Sequence, residues 1–178
     1  MADDNLFTIN LVTPERILLT GLATEVILRT GEGDATFLAG YAPLVGSVEP
    51  GVVRVVRPDG DEERVATHGG FVQVEQHVPA DGADGPDGPE AAEVGTSGTR
   101  VTMLVGVAEL AAEIDAERAR AALTAAEAQV AELTGSGGRG TATAEDAEPD
   151  AELADAEAAL LRAQVRLEAV DATSGATA

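Results

Sequence analysis

The chain has 178 residues and a formal net charge of −21, from 32 acidic and 11 basic residues, every basic one an arginine. That balance argues against binding a nucleic-acid backbone or an anionic membrane surface by charge. Cysteine is absent, which excludes disulfides, thiolate metal sites and cysteine nucleophiles.

With no tryptophan, three phenylalanines and one tyrosine, the core must consist of Val, Leu, Ile and Ala. The first hundred residues alternate in short runs. In "LFTINLV", Phe7, Ile9 and Leu11 share one side, and in "TEVILRT", Val26 and Leu28 oppose Glu25, Ile27 and Arg29. "GVVRVVR" sets Val53 and Val55 against Arg54 and Val56. It runs into Pro58-Asp59-Gly60, where proline fixes φ and Asp-Gly tolerates positive φ. "EERVATH" answers it, so residues 52–68 read as a β-hairpin. "GGFVQVEQ" and "RVTMLVGV" add further strands. Seven or more short strands with frequent turn signals predict a β-sandwich or barrel.

Residues 77–99 interrupt this pattern with five acidic side chains, no arginine and many Gly and Pro, the composition of a solvated loop. Asp81, Asp84 and Asp87 recur every third residue, which does not match the alternate-residue spacing of a calcium loop. His68 and His77 flank strand and loop with no serine or carboxylate at catalytic spacing, so both read as structural or solvated.

Beyond residue 107 alanine and glutamate dominate. Ala112, Ala116, Ala119, Leu123, Ala126, Val130 and Leu133 recur at steps of three and four, as do Leu153, Ala156, Leu160, Ala163, Leu167 and Val170. The glycine-rich stretch 134–149 separates these two seams, predicting an antiparallel helical hairpin over 108–178 after a sandwich over 1–107. Half of the seam is alanine, which buries little area at about 25 cal/mol per Å², so the hairpin is expected to open more readily than the sandwich.

Several strings, in collinear order, resemble the epsilon subunit of bacterial F-type ATP synthase: "LVTPERILLTG" (11–21), "TGEGDATFLAGYAPLVGSVEPGVVRV" (30–55), "GGFVQVE" (69–75), "VTMLVGVAELAAEIDAERARAAL" (101–123) and "AELADAEAALLRAQVRLEAV" (151–170). The stretch Ala42-Pro43-Leu44 to Pro50-Gly51 is the most specific. The resemblance implies an α+β fold, an N-terminal antiparallel β-sandwich of about ten strands followed by a C-terminal antiparallel two-helix hairpin. It implies a non-catalytic central-stalk subunit. The sandwich would couple the gamma shaft to the c-ring, through Glu32, Gly33, Asp34, Tyr41, Ala42 and Pro43. The hairpin would inhibit ATP hydrolysis, meeting the alpha and beta subunits when extended. The expected location is peripheral, on the cytoplasmic face of the bacterial plasma membrane. No nucleic acid, metal or direct membrane insertion is expected, since the apolar runs are short and no signal-like segment opens the chain. Two departures from the family pattern, Ala35-Thr36 and Ala39-Gly40-Tyr41, fall in the c-ring contact region.

"IDAERA" resembles the ATP-binding signature of some of these subunits. The matching residues are Glu109, Ile114, Asp115, Arg118 and Ala119 on the first helix, and Arg162 and Arg166 on the second. A further arginine of that site falls at Ala125. Arginine forks pair with phosphate oxygens, so ATP with Mg²⁺ is the implied regulatory ligand. Exposed helix charges would produce the same string. Two other functions are weighed against this one. The first is a purely structural rotor subunit with an inert hairpin. The second is a free-standing hydrolase using paired carboxylates such as Glu62-Glu63, although adjacent strand residues face opposite sides.

Overall fold

Ten strands, a short 3₁₀ turn and two helices are seen in the computed structural model, which describes residues 5–76, 97–136 and 151–174. The chain divides into two compact units, Met1–Ala112 and Glu113–Ala178. The acidic residues Asp81, Asp84 and Asp87, His77 and most of the 134–149 linker lie outside the described residues.

In the first unit, β1 (Phe7–Val12), β2 (Ile17–Ala23), β5 (Leu44–Val48), β8 (Gly70–Gln76) and β9 (Thr99–Val105) form one sheet, in the order β2-β1-β9-β8-β5. The other sheet runs β10-β7-β6-β3-β4, from β3 (Glu25–Thr30), β4 (Gly33–Leu38), β6 (Gly51–Val56), β7 (Glu62–Thr67) and β10 (Ala108–Leu110). The inward residues follow the period of two: Phe7, Ile9 and Leu11 from β1, Val26 and Leu28 from β3, Val53 and Val55 from β6 all belong to one buried cluster. Val72, Val74, Val101 and Met103 join them from β8 and β9. Each such side chain contributes about 1.5–3 kcal/mol on full burial.

The expected hairpin is β6–β7, with Val53 opposite Val65 and Val56 opposite Glu62. Gly60 takes φ +92° in its turn. Arg57, just before that turn, closes one margin of the sandwich. Its Nε and Nη2 donate to the two carboxylate oxygens of Glu63, at 3.0 and 3.1 Å, and Nη1 donates to the Leu22 carbonyl on the other sheet at 3.1 Å.

One pairing departs from the antiparallel expectation: β1 runs parallel to β9, with Ile9 level with Val101. Alternation fixes which face a residue occupies, not the direction of its neighbour, and strands far apart in sequence are free to pair either way. Thr99 also starts β9 and is fully buried, so the strand begins one residue inside the expected loop.

The second unit contains α1 (Ala116–Ser136) and α2 (Ala151–Ser174). Arg120 near the start of α1 lies 3.9 Å from Asp171 near the end of α2, so the helices are antiparallel. The seam is buried at Ala119, Ala126, Ala156 and Ala163. Its larger members, Leu123, Val130, Leu153, Leu160 and Leu167, are only half-buried. Ala108–Leu110 pairs with β7, and Ala111–Glu113 is a 3₁₀ turn. The helical reading of 108–115 is therefore corrected: edge pairing to a formed sheet overrides the helix propensity of an alanine-rich string.

Candidate functional site

The outer face of the β2-β1-β9-β8-β5 sheet is the most distinctive surface of the first unit. Its five strands carry only two charged side chains, Glu75 and Arg100, and these stand opposite each other in register. The other sheet carries eight in its strands. At the end of the sheet away from that pair, one cross-strand row is apolar. Ile17 pairs with Val12, Val12 with Leu104, and Leu104 with Phe71. Paired residues share a face, and here Ile17 is 65% exposed, Phe71 62% and Leu104 51%. Val45, 73% exposed, stands two residues from Ser47, the β5 partner of Phe71. The next row, Thr20, Asn10, Thr102 and Gln73, is polar until it reaches Val45 on β5, and Thr20 Oγ1 donates to Asn10 Oδ1 at 2.7 Å.

This row was missed from sequence, yet it carries a signal. Phe71-Val72 and Leu104-Val105 are consecutive apolar pairs. A half-buried strand alternates, so neighbouring apolar residues set an apolar side chain on the outer face as well as on the inner one.

The six predicted contact residues do not form one patch. Glu32, Gly33 and Asp34 sit at the β3–β4 turn, where Arg29 Nε donates to Asp34 Oδ1 at 3.2 Å. Tyr41, Ala42 and Pro43 follow the far end of β4, about 17 Å away along the strand at roughly 3.4 Å per residue. The Tyr41 ring meets Phe37 edge-on at 4.8 Å, and its carbonyl accepts a hydrogen bond from Gln76 Nε2 at 2.7 Å. Gly40 N–H donates to the buried Thr99 Oγ1 at 2.8 Å, tying this loop to the other sheet. The Glu32 turn lies at the same end as the apolar row, because Glu49 N–H, just past β5, donates to the Arg29 carbonyl at 2.9 Å.

Glu62 and Glu63 part company. Glu62 accepts both Arg54 Nε and Nη2, at 3.1 and 2.7 Å, and also Arg64 Nε. These bonds, chiefly those from Arg54, hold its carboxyl at about 2. Glu63 is bound to Arg57 instead, so the two carboxylates do not converge on one point. His68 is half-buried after β7 and donates its backbone N–H to the Val107 carbonyl at 3.2 Å. Among the described residues no cluster of His, Asp or Glu is arranged to hold a metal ion.

In the second unit the "IDAERA" residues separate by role. Asp115 is the N-cap of α1: its Oδ1 accepts the backbone N–H groups of Glu117 and Arg118, both at 3.0 Å. Ile114 precedes the helix and is half-buried, Arg118 is exposed and Ala119 is buried in the seam. Glu109 is in β10 and belongs to the first unit, not to the helix. Ile114 and Glu109 therefore do not share a helix face with Arg118. Counted from Arg120–Asp171, Arg166 comes level with Ala125 and Arg162 with Gln129. At 1.5 Å per residue these lie roughly 10 and 16 Å along the axis from Arg118. The three arginines are thus set out along the hairpin axis rather than gathered at one level.

Residues 6–78 match the family described as ATP synthase, Delta/Epsilon chain, beta-sandwich domain. The ATP synthase epsilon chain of Sinorhizobium fredii is 47% identical over 74 residues, 42% of this chain and 54% of that one, so this match spans about half of the relative. The ATP synthase epsilon chain of Thermobifida fusca is 38% identical over 129 residues, covering 71% of this chain and 79% of the relative. A chain in the cryo-EM structure of the Euglena gracilis mitochondrial ATP synthase (OSCP/F1/c-ring in rotational state 1) has a similar fold. Its TM-score is 0.61 at 21% identity, covering 94% of this chain and 81% of that chain.

Proposed function

The chain belongs to the ATP synthase epsilon chain family, and on that premise we propose that it is a non-catalytic subunit of the central stalk. The sandwich couples the gamma shaft to the c-ring, and the helical hairpin restrains ATP hydrolysis by extending toward the alpha and beta subunits. The assembly is held peripherally on the cytoplasmic face of the bacterial plasma membrane. Among the described residues no helix is long and apolar enough to cross a bilayer, so attachment through partners suits this chain.

The charge-poor outer face with its row of Ile17, Val12, Leu104 and Phe71 carries this reading. Interface centres are depleted in charge and enriched in aromatic and aliphatic side chains, while isolated surfaces of a strongly acidic chain are not. We assign this face to gamma. The Tyr41–Pro43 loop leads into β5 of the same sheet and meets gamma beside it. The Glu32–Asp34 turn, at the end of the sandwich, meets the c-ring. Because the chain has no cysteine, single cysteines at Asp34 and Ala42 test this assignment. The first should crosslink to the c-ring and the second to gamma. Crosslinks to neither partner from either position would overturn it.

The alanine seam supports a hairpin that changes position. Small buried side chains contribute little per residue, so few contacts oppose its opening. ATP with Mg²⁺, bridging Arg118 to Arg162 and Arg166, would favour the closed hairpin by binding that form alone. The core cluster of the sandwich draws all its residues from the first unit, so a chain ending at Ala112 should fold and assemble. ATP hydrolysis by complexes carrying it should exceed that of complexes with the full chain. Equal rates would favour an inert hairpin.

A further inference from the structure

Beside the two middle members of the apolar row the sheet surface opens into a crevice of about 350 Å³, lined by Val12, Thr13, Pro14, Leu104, Val105 and Gly106. Its origin is topological. β1 and β9 run parallel and end side by side, then diverge: β1 turns back to β2, while β9 crosses to β10 in the other sheet. Nothing in the lining is charged. Thr13 Oγ1 is occupied, donating to the Arg16 carbonyl at 3.0 Å and accepting Arg16 N–H at 3.2 Å, so the crevice offers few polar groups to a guest.

Resting on the assignment of this face to gamma, we propose that the crevice is a socket for one bulky uncharged apolar side chain of the docked subunit. Three observations select that occupant. An uncharged lining rejects a charged guest, which would lose its hydration without gaining a partner. The crevice is continuous with the exposed row through Leu104, so whatever covers the row also reaches it. Interfaces draw most of their energy from a few aromatic or bulky residues seated in pockets. This chain supplies few of them: Phe7 and Phe37 are in the core, there is no tryptophan, and Phe71 is the exposed phenylalanine of the row. The complementary knob must come from the partner.

Gly106 provides the test. A Cβ built there meets no atom within 4 Å, so a side chain added at this crevice-lining position is accommodated without displacing the fold. The full-length chain is titrated onto cognate gamma assembled with alpha and beta subunits. Gly106→Leu should weaken binding at least tenfold with Tm unchanged, and Gly106→Ala should weaken it less. Normal binding by Gly106→Leu, with binding still abolished by Phe71→Asp, would remove the socket and leave the docking face standing. Normal binding by Phe71→Asp would remove the docking face and the socket together. If Gly106→Leu lowers Tm, methyl NMR of the unaltered chain decides. The Val12, Leu104 and Val105 methyl signals should shift when gamma is added, and unmoved signals would overturn the socket.

Discussion

The carboxylate of Asp115 accepts the backbone N–H of Arg118 at 3.0 Å, so the aspartate of "IDAERA" caps the helix on which its arginine stands. Capping alone explains an aspartate at this position, whether or not a ligand ever binds. Asp115→Ala should destabilise the hairpin by about 1 kcal/mol, within the usual range of about 0.5–2 kcal/mol for a lost N-cap. Asp115→Ser keeps an acceptor in place and should recover most of that loss. Amide exchange in the first turn of α1 reads both. Equal loss for Ser and Ala would mean that the carboxylate does something other than cap.

At Gly70 the backbone of β9 leaves no room for a side chain. A Cβ at this position would lie 2.3 Å from the Leu104 carbonyl oxygen and 2.9 Å from the Val105 Cα, both backbone atoms. Gly70→Ala must therefore push β8 from β9 and should cost at least about 2 kcal/mol, as overpacking of a tight core does. Gly46→Ala is the control, since its Cβ meets only side-chain atoms of Leu44 and Val72 at 3.6 and 3.7 Å. Urea denaturation of both variants gives the comparison. A Gly70→Ala midpoint equal to that of the control would refute the close approach.

The Glu62 carboxyl, held at about 2 by Arg54 and Arg64, gives the sandwich an acid-side dependence. Its folded value lies below the ordinary 4.5, so the unfolded chain binds the proton more readily. The stabilisation is complete above pH 4.5 and disappears as pH falls toward 2. The pair is partly solvated, with side-chain exposures of 45% and 24%, so solvent screening keeps its contribution to about 1 kcal/mol or less. Glu62→Gln should lower the urea midpoint at pH 7 and leave it close to wild type near pH 2. A constant difference across that range would mean that the carboxylate charge is not what stabilises the pairing.

The parts of this architecture legible in the sequence are those set by local periodicity and turn chemistry. Phe7, Ile9 and Leu11 announce an inward face, and Pro58-Asp59-Gly60 announces the turn that Gly60 makes at φ +92°. The alanine seam is legible for the same reason. Non-local choices are hidden. Nothing in β1 or β9 says that they lie parallel, and that pairing creates the crevice. Glu109 reads as helical because its neighbours are alanines, but the open edge of β7 claims Ala108–Leu110 as a strand. The contact residues around Glu32 and Tyr41 share a short stretch of sequence. An extended strand separates them because each residue adds more than twice the rise of a helical one.

Ala125 offers a gain-of-function test of the nucleotide reading. It is exposed on α1 and comes level with Arg166, itself four residues from Arg162 on α2. Ala125→Arg would set a guanidinium within reach of Arg166, adding a fourth phosphate donor at the α2 end of the gap of roughly 10 Å from Arg118. Without ligand the like charges repel, and the hairpin should lose a few tenths of a kcal/mol, as close like-charge pairs do on a helix surface. With ATP and Mg²⁺ the same charges meet phosphates, and binding should tighten about tenfold, equivalent to about 1.4 kcal/mol. Calorimetric titration of both chains gives the affinity, and thermal melts with and without nucleotide give the sign of the coupling. The two effects must oppose each other if a polyanion lies along this groove. A destabilised hairpin that ATP does not restore would leave Arg118, Arg162 and Arg166 as surface charges with no nucleotide to hold.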